Sequence, residues 1–369
     1  MIQSADIVVV GGGLCGLSIA EGLLRQDRDA VILEARSRWG GRMLSLEDGT
    51  GSGARYDMGA AWMWPHNHRM LSLAQSHGLS LEPQFATGNL VFQDAAGSVQ
   101  RDLAFSTMGG SFRMTGGVAQ LSETIAASLP PERALLEHRA VAIDVTADQM
   151  VVRCHSADGV VTWAANQVVL AMPPRVVAER IQFTPALEPA DLEHLLNVPT
   201  WMASQAKVVA VYEAPFWRDA GFSGDAISHI GPLAEIHDVT DSSDWRGALF
   251  GFVHPRALAA GMTDAELCDA SVEQLGVLFG ENARTPVAVL SKMWGHDPLT
   301  AVSRDQNGST SHPQYSPVAT ESGPFEGRLL LSGSETAPEH GGYLEGALEA
   351  AEATLASLAR SPSPLKSPS

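Results

Sequence analysis

Cysteine is scarce in these 369 residues: Cys15, Cys154 and Cys268 are odd in number and far apart. Three scattered thiols build neither a disulfide framework nor a thiolate metal site, which favours a reducing compartment. Basic charge is thin too, with 24 Lys and Arg against 42 Asp and Glu and a net charge of −18. Such a surface repels phosphate backbones, so nucleic acid is not an expected partner. Nowhere do about eighteen apolar residues run uninterrupted, so no membrane-spanning helix is expected. The first apolar run, Ile7–Val10, is too short for a signal core and has no basic segment ahead of it. The histidines lack ligand spacing: His66 and His68 lie beside a proline, and His229, His237 and His254 are scattered, so no metal site is expected. There is no internal repeat, no G-x-S-x-G elbow and no pair of catalytic carboxylates. The expectation is a soluble, cytoplasmic protein.

The composition that is present, 45% apolar and 18% charged, describes a globular chain. Its length exceeds the ~250–300 residues at which single cores stop growing, so two domains are expected. Ile7–Val10 and Ala30–Leu33 are β-branched runs suited to strands buried on both faces, with helical spacing over Leu14–Leu24 between them. Further buried strands are read at Gln167–Ala171, halted by Met172-Pro-Pro174, and at Leu329–Ser332. Alternating strands are read at Ser204–Tyr212 and Gly247–Val253, and helices at Asp264–Phe279 and Gly342–Leu358. A chain that opens and closes in α/β elements suggests one nucleotide-binding domain assembled from separated segments. The Ser- and Pro-rich tail 361–369 is expected to be disordered.

Gly11-Gly-Gly-Leu-Cys-Gly16 fits G-x-G-x-x-G in the context that gives it meaning, after a strand and before a helix. Gly11 permits the tight turn, Gly13 lets backbone approach a pyrophosphate, and Gly16 lets helix pack on strand. The helix start offers free N–H groups and a positive dipole end to phosphate. Glu34 closes the second strand, where its carboxylate can accept both ribose hydroxyls of an adenosine. The fingerprint calls for an adenine dinucleotide without choosing between NAD and FAD.

Glu34-Ala-Arg36, Gly40-Gly-Arg42 and Tyr56-Asp-Met-Gly-Ala-Ala-Trp62, in this order, resemble the FAD-dependent amine oxidases. That family includes monoamine, polyamine and L-amino-acid oxidases. The resemblance covers nearly the whole chain. It extends through the Gly116-Gly117 helix start, His138–Ile143, Val168–Pro174, Ala206–Trp217, Gly333–Ala337 and Gly341–Ala347. The implied fold class is α/β: a dinucleotide-binding (Rossmann-like) FAD domain from residues 1–68, 113–180 and 290–360. A mixed α+β substrate domain would take 69–112 and 181–289.

The fingerprint and the resemblance together place FAD contacts on Gly11, Gly13, Leu14, Cys15 and Gly16, then on Glu34, Ala35, Arg36, Gly40, Gly41 and Arg42. Further contacts fall on Gly59, Ala60, Ala61, Trp62, Val141 and Trp294, and on Gly333, Ser334, Glu335, Gly342, Tyr343 and Leu344. Arg42 would hold a phosphate, and the backbone of Val141 would touch adenine. Glu335 would serve the ribityl or phosphate region, and the last helix would face the flavin N1–C2=O edge. The implied catalytic residues are Lys207, Tyr343 and Trp62. The family's lysine holds a water against flavin N5, whereas a lone strand lysine otherwise reads as a solvated position. Tyr343 corresponds to one of two tyrosines of an aromatic cage for the amine.

Two departures stand out. The family's flavin-bonding cysteine would fall within Ala301–Arg304, where there is none, so FAD is expected to be non-covalent. The second cage tyrosine is missing too. Tyr315 is a candidate replacement, and Arg304 reads either as an exposed loop residue or as a carboxylate recogniser. The implied reaction is hydride transfer from a primary amine or amino acid to flavin N5. The imine would be hydrolysed to an aldehyde or keto acid plus ammonia, with O2 reoxidising the flavin to give H2O2. Carbon–carbon dehydrogenation on the same fold, and a FAD-binding subunit without catalysis, are the rival readings.

Overall fold

The computed structural model describes residues 2–242, 245–306, 311–318, 325 and 327–360. The tail 361–369 lies outside the described residues. The fold is mixed α/β, and the chain divides into two compact units.

The first unit comprises Met1–Arg42, Leu121–Ala203 and Pro298–Ser369. At its centre is an all-parallel sheet in the order Ala134–Leu135, Ala30–Leu33, Ile7–Val10, Gln167–Ala171, Leu329–Ser332. The three inner strands are almost wholly buried, as their unbroken apolar runs require when both faces are covered. Leu14–Arg25 is the crossover helix between the first two of these strands. The terminal helix Leu344–Arg360 packs on it so closely that a Cβ on Gly22 would come 2.5 Å from Leu355 Cδ1. A second sheet joins Ile2–Ser4, Gly159–Ala165, Met150–Ser156, Arg139–Val145 and Gln182–Thr184. The two sheets share one core, in which Val8, Leu33, Val168 and Leu170 meet Ile143, Val152 and Trp163. The double proline both stops a strand and starts the helix Pro174–Arg180, because proline is pre-shaped for a first helical turn.

The second unit comprises Met43–Gln120 and Ser204–Asp297. Its seven-stranded sheet runs Ala288–Met293, Ala206–Tyr212, Gly247–Val253, Leu233–Asp238, Phe222–Ser228, Asn89–Gln93, Val99–Leu103. Every residue of Ala206–Tyr212 is buried, so this strand does not show the solvent-facing alternation read from its sequence. Both of its faces are covered. One packs Val208, Ala210 and Tyr212 with Leu275 and Leu278 of the helix Asp264–Phe279. The other packs Val209 and Val211 with Leu44, Tyr56, Met58, Phe250 and Trp294.

The unit boundaries differ from those expected for the domains. Residues 43–68, 113–120 and 290–297 cluster with the second unit, and 181–203 with the first. The hairpin Ser45–Glu47/Arg55–Asp57 carries the apolar side chains that cover the seven-stranded sheet, and Gln182–Thr184 is paired in register with Arg139–Val145. Among the described residues no helix is long and apolar enough to cross a membrane.

Candidate active site

In the first unit the glycine loop is built as its spacing implies. Gly11 has φ +108°, and a Cβ there would overlap the Ala171 carbonyl oxygen; a Cβ on Gly16 would overlap the carbonyl oxygen of Gly11. Gly13 differs, since a Cβ placed on it meets nothing within 4 Å. It is the N-cap of Leu14–Arg25 with no side-chain cap bond, leaving first-turn N–H groups for a ligand. Gly40 closes the turn by donating its N–H to the Gly12 carbonyl at 2.8 Å. Glu34 is buried, and its two oxygens accept the N–H groups of Gly12 at 2.7 Å and Arg36 at 2.8 Å. An ionised carboxylate has about four acceptor sites, so capacity remains for two ribose hydroxyls. Open space at Gly13, uncapped N–H groups and a backbone-aimed carboxylate fit the adenosine and pyrophosphate portion of FAD.

Other expected cofactor residues of this unit are placed as follows. Ala35 follows Glu34, and the Arg36 guanidinium bonds Thr300 Oγ1 at 2.9 Å. The Cys15 thiol faces the sheet, with Sγ 3.0 Å from Ser332 Oγ, and burial pushes it up to about 12. Cys15 therefore has only its backbone to offer a ligand. Val141 sits where the register of Arg139–Val145 shifts, which takes its backbone out of the regular ladder. Gly41 has φ +55° and lies against the Gly13 backbone. Arg42 spends its fork inside the protein: Nη1 is 2.6 Å from Glu335 Oε1, and Nη2 is 3.0 Å from Glu335 Oε2 and 3.2 Å from Ser334 Oγ. Glu335 is fully buried at the end of the strand Leu329–Ser332, after Gly333. Gly342 precedes Tyr343, which is half exposed, and Leu344 begins the terminal helix. Arg304 is exposed, as a loop arginine would be. Tyr315 is buried and donates its hydroxyl to the Pro199 carbonyl at 2.9 Å.

The second unit holds Gly59, Ala60, Ala61, Trp62, Lys207 and Trp294. Lys207 is only 5% exposed, so it is not a solvated surface lysine. Its ammonium donates to the Gly59 carbonyl. The same nitrogen lies 4.6 Å from the Phe250 ring centroid, 5.0 Å from Phe252 and 5.6 Å from Trp62. Phe252 is its partner across the strand pair. Burial drags the Lys207 pKa from 10.5 to about 8, against the opposing pull of the Asp57 carboxylate. Burial raises Asp57 to about 6, although Ser45 Oγ at 2.5 Å and the Val118 N–H at 2.9 Å donate to it. Trp294 donates its indole N–H to the Met58 carbonyl at 2.7 Å, and Trp62 donates to Gln84 Oε1 at 2.8 Å. The segment from Asp57 to Trp62 thus supplies Lys207 with a carboxylate, a carbonyl acceptor and one aromatic wall.

Sequence reasoning did not single out Phe250, Phe252, Asp57 or the buried His237. His237 Nδ1 is 2.9 Å from Asp225 Oδ1, and its ring meets Trp62 edge-on at 5.3 Å. A phenylalanine in an apolar strand carries no local signal; only strand register brings it to the lysine.

The chain matches the model of the flavin containing amine oxidoreductases over residues 14–97 and 85–354. It is 26% identical to the putrescine oxidase of Kocuria rosea, covering 80% of this chain and 83% of that protein. It is 24% identical to a flavin-containing amine oxidase B of Cavia porcellus, covering 95% and 85%. Its fold is similar to that of a putrescine oxidase with bound putrescine (TM-score 0.79, 21% identity, 98% and 100% covered). It is also similar to that of cyclohexylamine oxidase from Brevibacterium oxydans IH-35A (TM-score 0.78, 20% identity, 96% and 98% covered). With the family model spanning nearly the whole chain and the glycine loop shaped for a dinucleotide, the chain belongs to the flavin-containing amine oxidoreductases, enzymes that oxidise amines with FAD as cofactor.

Proposed function

We propose that the first unit is a dinucleotide-binding, Rossmann-like domain that holds FAD non-covalently, and that the second carries the catalytic lysine, Lys207. The reaction we assign is oxidation of a primary amine or amino acid to an imine, which water hydrolyses to an aldehyde or keto acid plus ammonia. O2 is the assigned acceptor, giving H2O2. When bound, FAD supplies the hydride acceptor at N5.

The observation that carries this reading is Lys207. A lysine inside an aromatic box, with its pKa pulled to about 8, holds a proton only loosely near neutrality. In that state the side chain can order a water and pass a proton, where an ordinary lysine would stay fully charged. Tyr343 offers a ring face to the amine. Gly11, Gly13 and Gly16 shape the pyrophosphate turn, Glu34 holds the adenosine ribose, and the uncapped start of Leu14–Arg25 faces the phosphates. The absence of cysteine from Ala301–Arg304 supports non-covalent attachment.

The test is an absorbance spectrum of the purified protein followed by anaerobic titration with amines and amino acids. The expected result is a yellow protein that releases FAD on denaturation and bleaches with one class of amine. Flavin that binds but stays oxidised with every amine and amino acid would overturn the assigned reaction.

A further inference from the structure

The terminal helix of the first unit begins beside a ring pair with no counterpart in the sequence reading. The Tyr343 ring lies flat against His312, with centroids 5.0 Å apart and planes inclined by 2°. His312 Nε2 is 2.9 Å from the Gly341 carbonyl oxygen. A carbonyl only accepts, so Nε2 carries the hydrogen and the neutral ring keeps its lone pair on Nδ1. Among the described residues Nδ1 has no hydrogen-bond partner. Trp201 and Tyr315 meet the imidazole edge-on at 4.9 and 5.9 Å. Both are seated on the helix start: a Cβ on Gly341 would overlap the Tyr315 ring, and one on Gly342 would come 2.9 Å from Trp201 Cβ. Tyr343 is half exposed.

The spacing has a direct consequence. An alkyl chain passing between two rings needs their planes about 7 Å apart, twice the ~3.5–4.0 Å contact distance between carbons. Centroids at 5.0 Å leave no such slot.

We propose that His312 stands in for the second cage ring and determines amine specificity: with Tyr343 it forms a closed slab, and its Nδ1 accepts a hydrogen bond from the substrate amine. The proposal rests on the amine-oxidase reading of Tyr343 given above. It also makes binding sensitive to acid, because a protonated imidazole has no lone pair to offer and repels an ammonium. The titratable groups packed on His312 are Tyr315 and Tyr343, and the charges that act on Tyr315 are Glu335, Arg42 and Arg175.

The probe is tert-butylamine, which has no hydrogen on its α-carbon and so binds without being oxidised. Its Kd is read from the flavin difference spectrum of the FAD-loaded protein between pH 5 and 8. Wild type is compared with His312→Phe, which keeps a stacked ring, and His312→Gln, which keeps an acceptor without a titrating ring. Protonation of the amine weakens binding tenfold per pH unit in all three proteins. In wild type alone a further weakening appears toward the acidic end of that range. Near pH 8, His312→Phe binds about 2- to 10-fold more weakly than wild type, the worth of one hydrogen bond, and His312→Gln recovers part of that loss. Superimposable profiles in wild type and His312→Phe, with wild-type flavin still reduced by benzylamine, would sink the role of His312 and leave the amine-oxidase reading standing. A FAD-loaded wild type that neither shifts with tert-butylamine nor is reduced by any amine overturns both.

Discussion

Replacing Lys207 with methionine tests the central claim of the site through stability and turnover in one variant. The substitution keeps the length of an unbranched side chain and removes the ammonium. A fall in pKa from 10.5 to about 8, at about 1.4 kcal/mol per pH unit, corresponds to about 3 kcal/mol by which the fold disfavours the charged form. The side chain is buried, so solvent screening removes little of this. Between about pH 8 and 10.5 the unfolded chain binds the proton that the folded chain has released, so wild-type stability rises with pH across that window. Below it the full penalty applies, and above it none. Methionine carries no such penalty at any pH. The stability of Lys207→Met relative to wild type should therefore fall by about 3 kcal/mol from pH 7.5 to 10.5, read by urea unfolding at both values. In the same variant, flavin reoxidation by O2 should slow by about 100-fold or more, as expected when a proton-handling group is removed. A stability difference that stays constant over the window would show that Lys207 is solvated, and the proposed role would fail with it.

Two glycines of the fingerprint should separate folding from cofactor binding. Gly16→Ala drives a methyl into the Gly11 carbonyl and should lower the melting temperature, whereas Gly13→Ala enters open space and should melt as wild type while losing most of its FAD, scored as flavin per protein after gel filtration. Equal flavin content in Gly13→Ala and wild type would remove the pyrophosphate from that position. Asp57→Asn withdraws the carboxylate that supports the Lys207 ammonium, so the Lys207-dependent limb of the pH–rate profile should move to lower pH. A limb that stays in place would mean the two groups do not interact.

The sequence by itself was enough for the parts of the protein whose physics is local. Val-Val-Val and Val-Ile-Leu runs announce strands covered on both faces, and Gly11 and Gly16 announce a turn too tight for a side chain. Glu34 follows at the end of the next strand, so strand, loop, helix and carboxylate were all legible within one short stretch of chain. Motif order carried the family. Ala206–Tyr212, with one charged residue in seven, also held the hint that Lys207 is buried, but solvent-facing alternation was the wrong pattern for a strand flanked by Gly247–Val253 and Ala288–Met293. What tertiary structure decided was everything that depends on register and close approach. Phe250 and Phe252 reach Lys207 because strands pair antiparallel, and a slip of one residue would turn them to the opposite face. The carbonyl that receives the ammonium comes from a loop far upstream in sequence. Glu335, rather than a phosphate alone, claims the fork of Arg42. His312 meets Tyr343 through the packing of Trp201 and Tyr315 on two glycines, a match of shapes between distant segments that no local pattern encodes.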